Sequence, residues 1–166
     1  MQTTIRGKCS TWIEVTSGVP QGSVLAPIMF LIFENDLTEG LTSYVNMFAD
    51  DAKVLRRVKT LEDCSMLQID LNKLSEWSKT WNMEFNTEKC KLLEMGISQR
   101  RPRYEYKLGN DKLYKAVQEK DLGIIMQDNL SPESHVNKLV RESLSLLANI
   151  RMAFTYLDGN IMKKKK

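Results

Sequence analysis

The sequence predicts an α+β domain with a largely antiparallel sheet, and three observations support that class. The chain has 166 residues, of which 42% are hydrophobic and 27% charged, a balance typical of one globular domain. Segments with helical and with strand-like apolar spacing alternate along it. Several predicted strands are joined by turns too short for a parallel crossover, so most strand pairs are expected to be antiparallel.

The N-terminal part is predicted to form a strand, a loop and an apolar helix. Apolar and polar residues alternate from Trp12 to Thr16, which indicates a short strand. Ser17 to Gly22 contains two glycines and a proline, which is typical of a loop. Dense apolar residues from Val24 to Leu37, with Pro27 in the first turn, indicate a buried helix. Gly40 fits its C-terminal end.

A β-hairpin is predicted next, with two aspartates at its tip. Strands at Tyr44 to Ala49 and Lys53 to Val58 flank Asp50-Asp51, although the Asn-Gly signal of secure hairpins is absent. Carboxylates suit magnesium, and two-metal phosphoryl transfer needs such ligands. A strand interior would point adjacent aspartates to opposite faces, so the turn matters. Asp-Asp is also common in ordinary turns, where aspartate bonds its own backbone. The pair alone therefore leaves both interpretations open.

The segment from Thr60 carries the clearest helical pattern. Thr60-Leu61-Glu62-Asp63 resembles a capping box, with Asp63 in the third helical position. The apolar stripe that follows is one-sided at helical spacing, which predicts packing against a sheet rather than a cofactor site. It comprises Leu67, Leu71, Leu74 and Trp77 or Trp81.

Short strands and a long helix are predicted in the rest of the chain. The strand candidates are Cys90 to Met95, Tyr104 to Leu108 and Asp121 to Met126, with a polar loop at Arg100 to Arg103. Ser131-Pro132-Glu133 favours a helix start. This helix is expected to reach about Leu157, and Asp158-Gly159-Asn160 would end it. One broad apolar face would contain Val136, Leu139, Val140, Leu144, Leu147 and Ile150.

The net charge, the number and spacing of the cysteines and the hydropathy of the chain limit the classes of protein to which it can belong. The net charge of +3 permits nucleic-acid binding without demanding it, and the basic clusters at Lys53 to Lys59, Arg100 to Arg103 and Lys163 to Lys166 are usually solvated faces. The three cysteines are odd in number and widely spaced, so neither a disulfide framework nor a zinc site is expected. Neither a signal peptide nor a membrane span is predicted, which favours an intracellular protein of the cytoplasm or nucleus.

Two motifs in order carry a family resemblance. Gly-Val-Pro-Gln-Gly-Ser at 18–23 and Phe-Ala-Asp-Asp at 48–51 resemble motifs B and C in the palm of reverse transcriptases from non-LTR (LINE-type) retrotransposons. The apolar helix ending in Asn35-Asp36-Leu37 is similar to that family's, Phe85 to Lys91 resembles motif D, and Lys120 to Ile125 resembles motif E. The resemblance runs from about Trp12 to about Ile150, and it is closest to the jockey and CR1 branches.

The resemblance implies roles for individual residues. Asp50 would be the principal Mg²⁺ ligand and Asp51 the auxiliary one. Lys89 would be the candidate proton donor to departing pyrophosphate, although a plain surface lysine is an equal alternative. The residues expected to line the site for incoming nucleotide, template and primer end are Gly18, Pro20, Gln21, Gly22, Phe48 and Ala49. Leu122 and Gly123 would belong to the primer grip, or be plain strand residues. Members of the family take an RNA template, a DNA primer and dNTPs.

The resemblance also implies what this chain lacks. Residues 1–127 would be a partial palm with motifs B to E, and residues 128–166 a thumb-like helix and basic tail. The family's motif A aspartate is expected before motif B, but Glu14 is the only carboxylate before Gly18. We therefore expect no useful polymerase activity from the chain alone, because losing a preorganised charge typically costs several powers of ten in rate. A non-catalytic RNA or RNA–DNA binding remnant and a structural remnant without function are the alternatives.

Overall fold

The computed structural model describes residues 2–14, 18–19, 22–96 and 102–153, and in them it contains three helices and ten short strands. This mixture confirms the α+β class. The elements in chain order are β1 (Thr4–Ile5), β2 (Lys8–Cys9), α1 (Ala26–Glu34), β3 (Tyr44–Phe48), β4 (Asp51–Leu55), α2 (Leu61–Thr80), β5 (Lys91–Leu93), β6 (Lys107–Leu108), β7 (Asp111–Lys112), β8 (Tyr114–Ala116), β9 (Gln118–Asp121), β10 (Ile124–Gln127) and α3 (Glu133–Ala153).

The strands form five two-stranded sheets in the described residues. Four are antiparallel hairpins: β1–β2, β3–β4, β6–β7 and β9–β10. The fifth pairs β5 with β8 in parallel, with Lys91 opposite Tyr114. The prediction of mainly antiparallel pairing is confirmed. The β6–β7 hairpin lies in the segment that connects the two parallel strands.

The chain divides into two compact units, Met1–Arg56 and Arg57–Lys166. The predicted boundary after residue 127 stays a prediction. Several predicted features lie outside the described residues: Pro20 and Gln21, part of the polar loop at Arg100 to Arg103, the helix end near Leu157, and the lysine tail. None of the helices in the described ranges combines the length and apolarity of a membrane span.

Two predictions for the first unit are wrong. Residues 12–14 of the predicted strand Trp12 to Thr16 are not in a strand, since no described strand pairs with them, and residues 15–16 lie outside the described residues. Helix α1 has Pro27 in its first turn as predicted, but it is not buried. Leu31 and Ile32 are 60% and 72% exposed, and the buried α1 side chain is that of Glu34. Phe30 and Phe33 of the same helix are half-buried, so the apolar surface of α1 is covered only in part.

Helix α2 organises the second unit. Its capping box is confirmed: the Asp63 N–H donates to Thr60 Oγ1 at 3.2 Å, and the Thr60 N–H donates to Asp63 Oδ2 at 2.9 Å. The predicted stripe is confirmed too, since Leu67, Leu71 and Leu74 are buried. The same core contains the buried side chains of Cys64, Tyr106 and Leu108.

A glutamine side chain ties α2 to β6. Gln68 Nε2 donates to the Lys107 carbonyl at 2.9 Å, and Gln68 Oε1 accepts from the Lys107 N–H at 2.9 Å. The side-chain amide therefore satisfies both backbone groups of Lys107, as a neighbouring strand would. This pair of bonds fixes the β6–β7 hairpin on the helix.

The C-terminal elements correct one more prediction. The segment Asp121 to Met126 is not a single strand, because a two-residue turn at Leu122-Gly123 separates β9 from β10. Both turn residues have positive φ, 45° and 90°, a conformation that reverses the chain. Helix α3 begins at Glu133 as predicted, and Ser131 Oγ accepts the Glu133 N–H at 3.3 Å.

Candidate active site

The β3–β4 hairpin carries the two aspartates predicted to bind metal. Its register pairs Tyr44 with Leu55 at the open end and Phe48 with Asp51 at the closed end. Ala49 and Asp50 form the two-residue turn between them. Phe48, Asp50 and Asp51 are all exposed. The hairpin is confirmed, although Asp51 is the first residue of β4 rather than a turn residue.

The turn holds Ala49 in an unusual backbone conformation. Its φ is 50°, in the left-handed region. Two-residue hairpin loops favour positive φ at their first position because this matches the twist of the strands. For a residue with a Cβ atom, that conformation costs roughly 1–2 kcal/mol. The hairpin therefore presents Asp50 from a turn that is strained at the residue before it.

The two carboxylates can supply part of a metal site. They are adjacent, exposed and carried by a tight turn, so both oxygen pairs are accessible to a hard cation. In the part of the chain that the structure describes, no group of three or more His, Cys, Asp or Glu side chains is placed to hold a metal ion. Asp50 and Asp51 fit a divalent ion as two of its ligands, and further ligands must come from water, substrate phosphates or another segment.

Arg56 closes the open end of the same hairpin. Its Nη1 donates to Thr42 Oγ1 at 2.8 Å and to Ser43 Oγ at 3.3 Å. These bonds join the residue after β4 to the two residues before β3, so they help to fix the strand register. The sequence offered no signal for this role, because Arg56 lies in a basic run that is typical of a solvated face.

The predicted nucleotide-binding loop is described at two of its four residues. Gly18 and Gly22 have φ of 83° and 84°, which favours glycine at both positions. After the loop, Ser23 Oγ accepts the Leu25 N–H at 3.2 Å just before α1 begins. Both described glycines of the loop thus have the unusual backbone dihedrals that glycine permits.

The remaining predicted site residues belong to the second unit. Lys89 is exposed, and its backbone N–H donates to the Asn86 side chain at 3.2 Å in the turn before β5. Leu122 and Gly123 form the tip of the β9–β10 hairpin, where the Leu122 side chain is 57% exposed. They are turn residues and not plain strand residues.

Comparison with known proteins decides the family. A family model described as "Reverse transcriptase (RNA-dependent DNA polymerase)" matches residues 2–141, which is most of the chain. The chain belongs to the reverse transcriptase family. It is 28% identical over 136 residues to the probable RNA-directed DNA polymerase from transposon X-element of Drosophila melanogaster, a match that covers 78% of this chain and 15% of that protein.

Two jockey polymerases are also similar to this chain. The identity is 34% over 85 residues for the one from mobile element jockey of Drosophila melanogaster, covering 46% of this chain and 9% of that protein. It is 29% over 134 residues for the one from jockey of Drosophila funebris, covering 75% and 14%. The chain thus spans between 9% and 15% of the length of these relatives. No solved structure matches it.

These relatives confirm the resemblance to non-LTR mobile elements that the motifs indicated. Reverse transcriptases in general use a divalent metal ion and bind a nucleic-acid template, a primer and nucleotides. The β3–β4 hairpin and the glycine loop both lie within the matched residues 2–141.

Proposed function

We propose that this chain forms the motif B to E part of an RNA-directed DNA polymerase, with Asp50 and Asp51 as its metal-binding carboxylates. Residues 1–127 would then be a partial palm, and residues 128–166 a thumb-like helix with a basic tail. The observation that carries the proposal is the adjacent, exposed aspartate pair at the tip of β3–β4, inside the segment that matches the family.

The hairpin geometry supports a metal role for the pair. Asp50 projects from the turn and Asp51 from the last paired position, so the two carboxylates leave the hairpin at neighbouring points. Mg²⁺ keeps several waters and takes substrate phosphates alongside one or two carboxylates. A pair of carboxylates at an exposed tip can supply the protein ligands of such a coordination shell. Mg²⁺ would hold the nucleotide phosphates there.

The residues around the pair fit the binding of primer and nucleotide. Phe48 is 58% exposed and directly precedes the turn, so its ring offers a flat apolar surface beside the carboxylates. Ala49 presents little bulk, which leaves the tip open. Gly18 and Gly22 permit close backbone approach of a ligand, and Pro20 and Gln21 lie between them in the chain.

Two further roles belong to the second unit. Lys89 would act as the proton donor to pyrophosphate, and its exposed side chain meets the requirement of access. Leu122 and Gly123 would contact the primer as the tip of β9–β10. A hairpin tip suits that role better than a strand interior, because its side chain projects outward and its backbone is unpaired.

The isolated chain is expected to be inactive as a polymerase. No aspartate precedes Gly18 in these 166 residues. A two-metal site with one carboxylate missing would bind metal weakly and misplace the attacking oxygen. Every 1.36 kcal/mol added to the barrier slows the reaction about tenfold.

The test pairs a metal-binding measurement with a primer-extension assay. Broadening of backbone NMR signals by Mn²⁺ should be strongest at residues 48–51, should fall in Asp50→Asn and Asp51→Asn, and should persist in Glu39→Gln, an exposed carboxylate of the same unit. Extension of a DNA primer on RNA should be absent. Mn²⁺ broadening that avoids the hairpin would contradict the site. Extension that disappears in Asp50→Asn would instead uphold the site and overturn the predicted inactivity.

A further inference from the structure

Helix α3 carries an apolar face that the described residues leave half exposed. The helix is attached at its first turn, where His135 Nδ1 accepts the Ile125 N–H at 3.4 Å and Gln127 Oε1 accepts the Ser134 N–H at 3.1 Å. None of its residues is buried. The α3 face consists of Val136 (49% exposed), Leu139 (47%), Val140 (51%), Leu144 (61%) and Leu147 (48%).

The order of residues on this face is self-complementary. If two copies of α3 are placed antiparallel about a two-fold axis near residue 142, Val140 lies level with Leu144 of the other copy. Val136 then lies within one residue of the level of Leu147, which is about 1.5 Å along the helix axis. Along each helix, Ser143 lies between Val140 and Leu144. It is a small and exposed residue that allows the two helices to approach closely. A two-fold interface requires such a pattern, because the same patch must fit itself.

The charges at the two ends of α3 follow the same symmetry. Glu133 and Arg151 are eighteen residues apart, which is about five turns of helix, so they lie on the same side. Both are exposed. In the antiparallel register, Glu133 of each copy is level with Arg151 of the other. A parallel pair would instead bring like charges together, so the charges select the antiparallel arrangement.

We propose that the α3 face is a homodimer interface, on which a second copy of this chain packs its own α3 in antiparallel orientation. The aliphatic face lacks the aromatic rings on which bases stack, so a nucleic acid is a poorer occupant. The 21-residue helix is roughly 31 Å long. A pair of single helices buries less than the ~1,600 Å² of a standard interface, so the dimer is expected to dissociate at micromolar concentration. The proposal does not depend on the polymerase assignment.

Sedimentation velocity of the full chain tests the interface. We expect a concentration-dependent shift from monomer to dimer between about 1 and 100 μM. Leu144→Glu should abolish the dimer, because it buries a charge opposite Val140. Ser145→Glu adds the same charge at the neighbouring residue, which faces away from the α3 face, and should leave dimerisation unchanged. Circular dichroism checks that each variant is folded.

A charge exchange tests the antiparallel register. Glu133→Arg and Arg151→Glu should each weaken the dimer about tenfold at low salt, since each creates two like-charge pairs. Mixing the two single variants should restore association, because each Arg is then level with a Glu of the other chain. The double variant should also associate, although it contains Glu133→Arg in the first turn of α3. A folded chain that stays monomeric at ~100 μM would overturn the proposal and leave the α3 face to another polypeptide or a lipid surface. Failure of the mixture to recover would overturn the antiparallel register.

Discussion

The two units of this chain use apolar helices in opposite ways. In the second unit, α2 turns Leu67, Leu71 and Leu74 inward, where they are buried at 5–8% exposure. In the first unit, α1 is more apolar than α2, yet Leu31 and Ile32 are more than half exposed. A helix forms a core only where another layer covers it. The difference indicates that the second unit has its own core, whereas α1 presents an apolar surface.

This difference between the two helices is tested most directly by replacing a leucine with alanine in each of them. Leu71→Ala should lower the free energy of unfolding by about 2–5 kcal/mol, because it leaves a cavity in a packed core. Leu31→Ala should change it by less than about 0.5 kcal/mol, because the side chain is 60% exposed. Urea denaturation followed by circular dichroism measures both. Equal losses in the two variants would mean that α1 is covered after all.

The core of the second unit also makes a pH prediction. Burial and a hydrogen bond with the Cys64 thiol raise the pKa of the Tyr106 hydroxyl above its usual value. The unfolded chain therefore loses this proton first, at about pH 10. Above that pH, the free energy of unfolding should fall by about 1.4 kcal/mol for each pH unit, and below it this contribution to stability is fully present.

Tyrosine variants isolate the contribution of Tyr106 from that of other alkaline groups. In Tyr106→Phe, the alkaline loss of stability should be smaller than in the unmodified chain, when both are measured by urea denaturation between pH 8 and pH 11. Tyr114→Phe is the matched control, since Tyr114 is 75% exposed and should leave the pH profile unchanged. Parallel profiles for all three proteins would show that Tyr106 ionises as freely in the folded chain as in the unfolded one.

Elements with local signals could be predicted from the sequence, and those set by distant contacts could not. The Thr60 capping box and the turn that carries Asp50 depend on residues within four positions of one another, so the local sequence predicts both. The exposure of α1 depends on what covers it, which no local pattern contains. The Leu122-Gly123 turn was missed for another reason: Leu122 is an unusual residue at a positive φ, and glycine alone marked the site.

The two helices also differ in how they begin. Thr60 and Asp63 satisfy each other's backbone N–H groups at the start of α2, whereas the N-cap residue of α1, Leu25, has no side-chain cap. Thr60→Ala should therefore lower stability by about 1 kcal/mol. Ser23→Ala should cost less, since Ser23 Oγ accepts only the Leu25 N–H in an exposed segment. A larger effect of Ser23→Ala in urea denaturation would reverse the ranking of the two helix starts.

The smallest effect distinguishes the turn of the candidate catalytic hairpin from its strand. Ala49 has φ of 50°, so Ala49→Gly should relieve strain and stabilise the β3–β4 hairpin by up to about 1 kcal/mol. Ala52→Gly makes the same chemical change within β4, where glycine should cost about 0.5–1 kcal/mol. The two identical substitutions are therefore expected to differ in sign. Hydrogen exchange of the Val45 to Val54 amides reads out hairpin opening directly. If both variants open more readily than the unmodified chain, Ala49 is not held in the left-handed region, and the hairpin presents Asp50 from an unstrained turn.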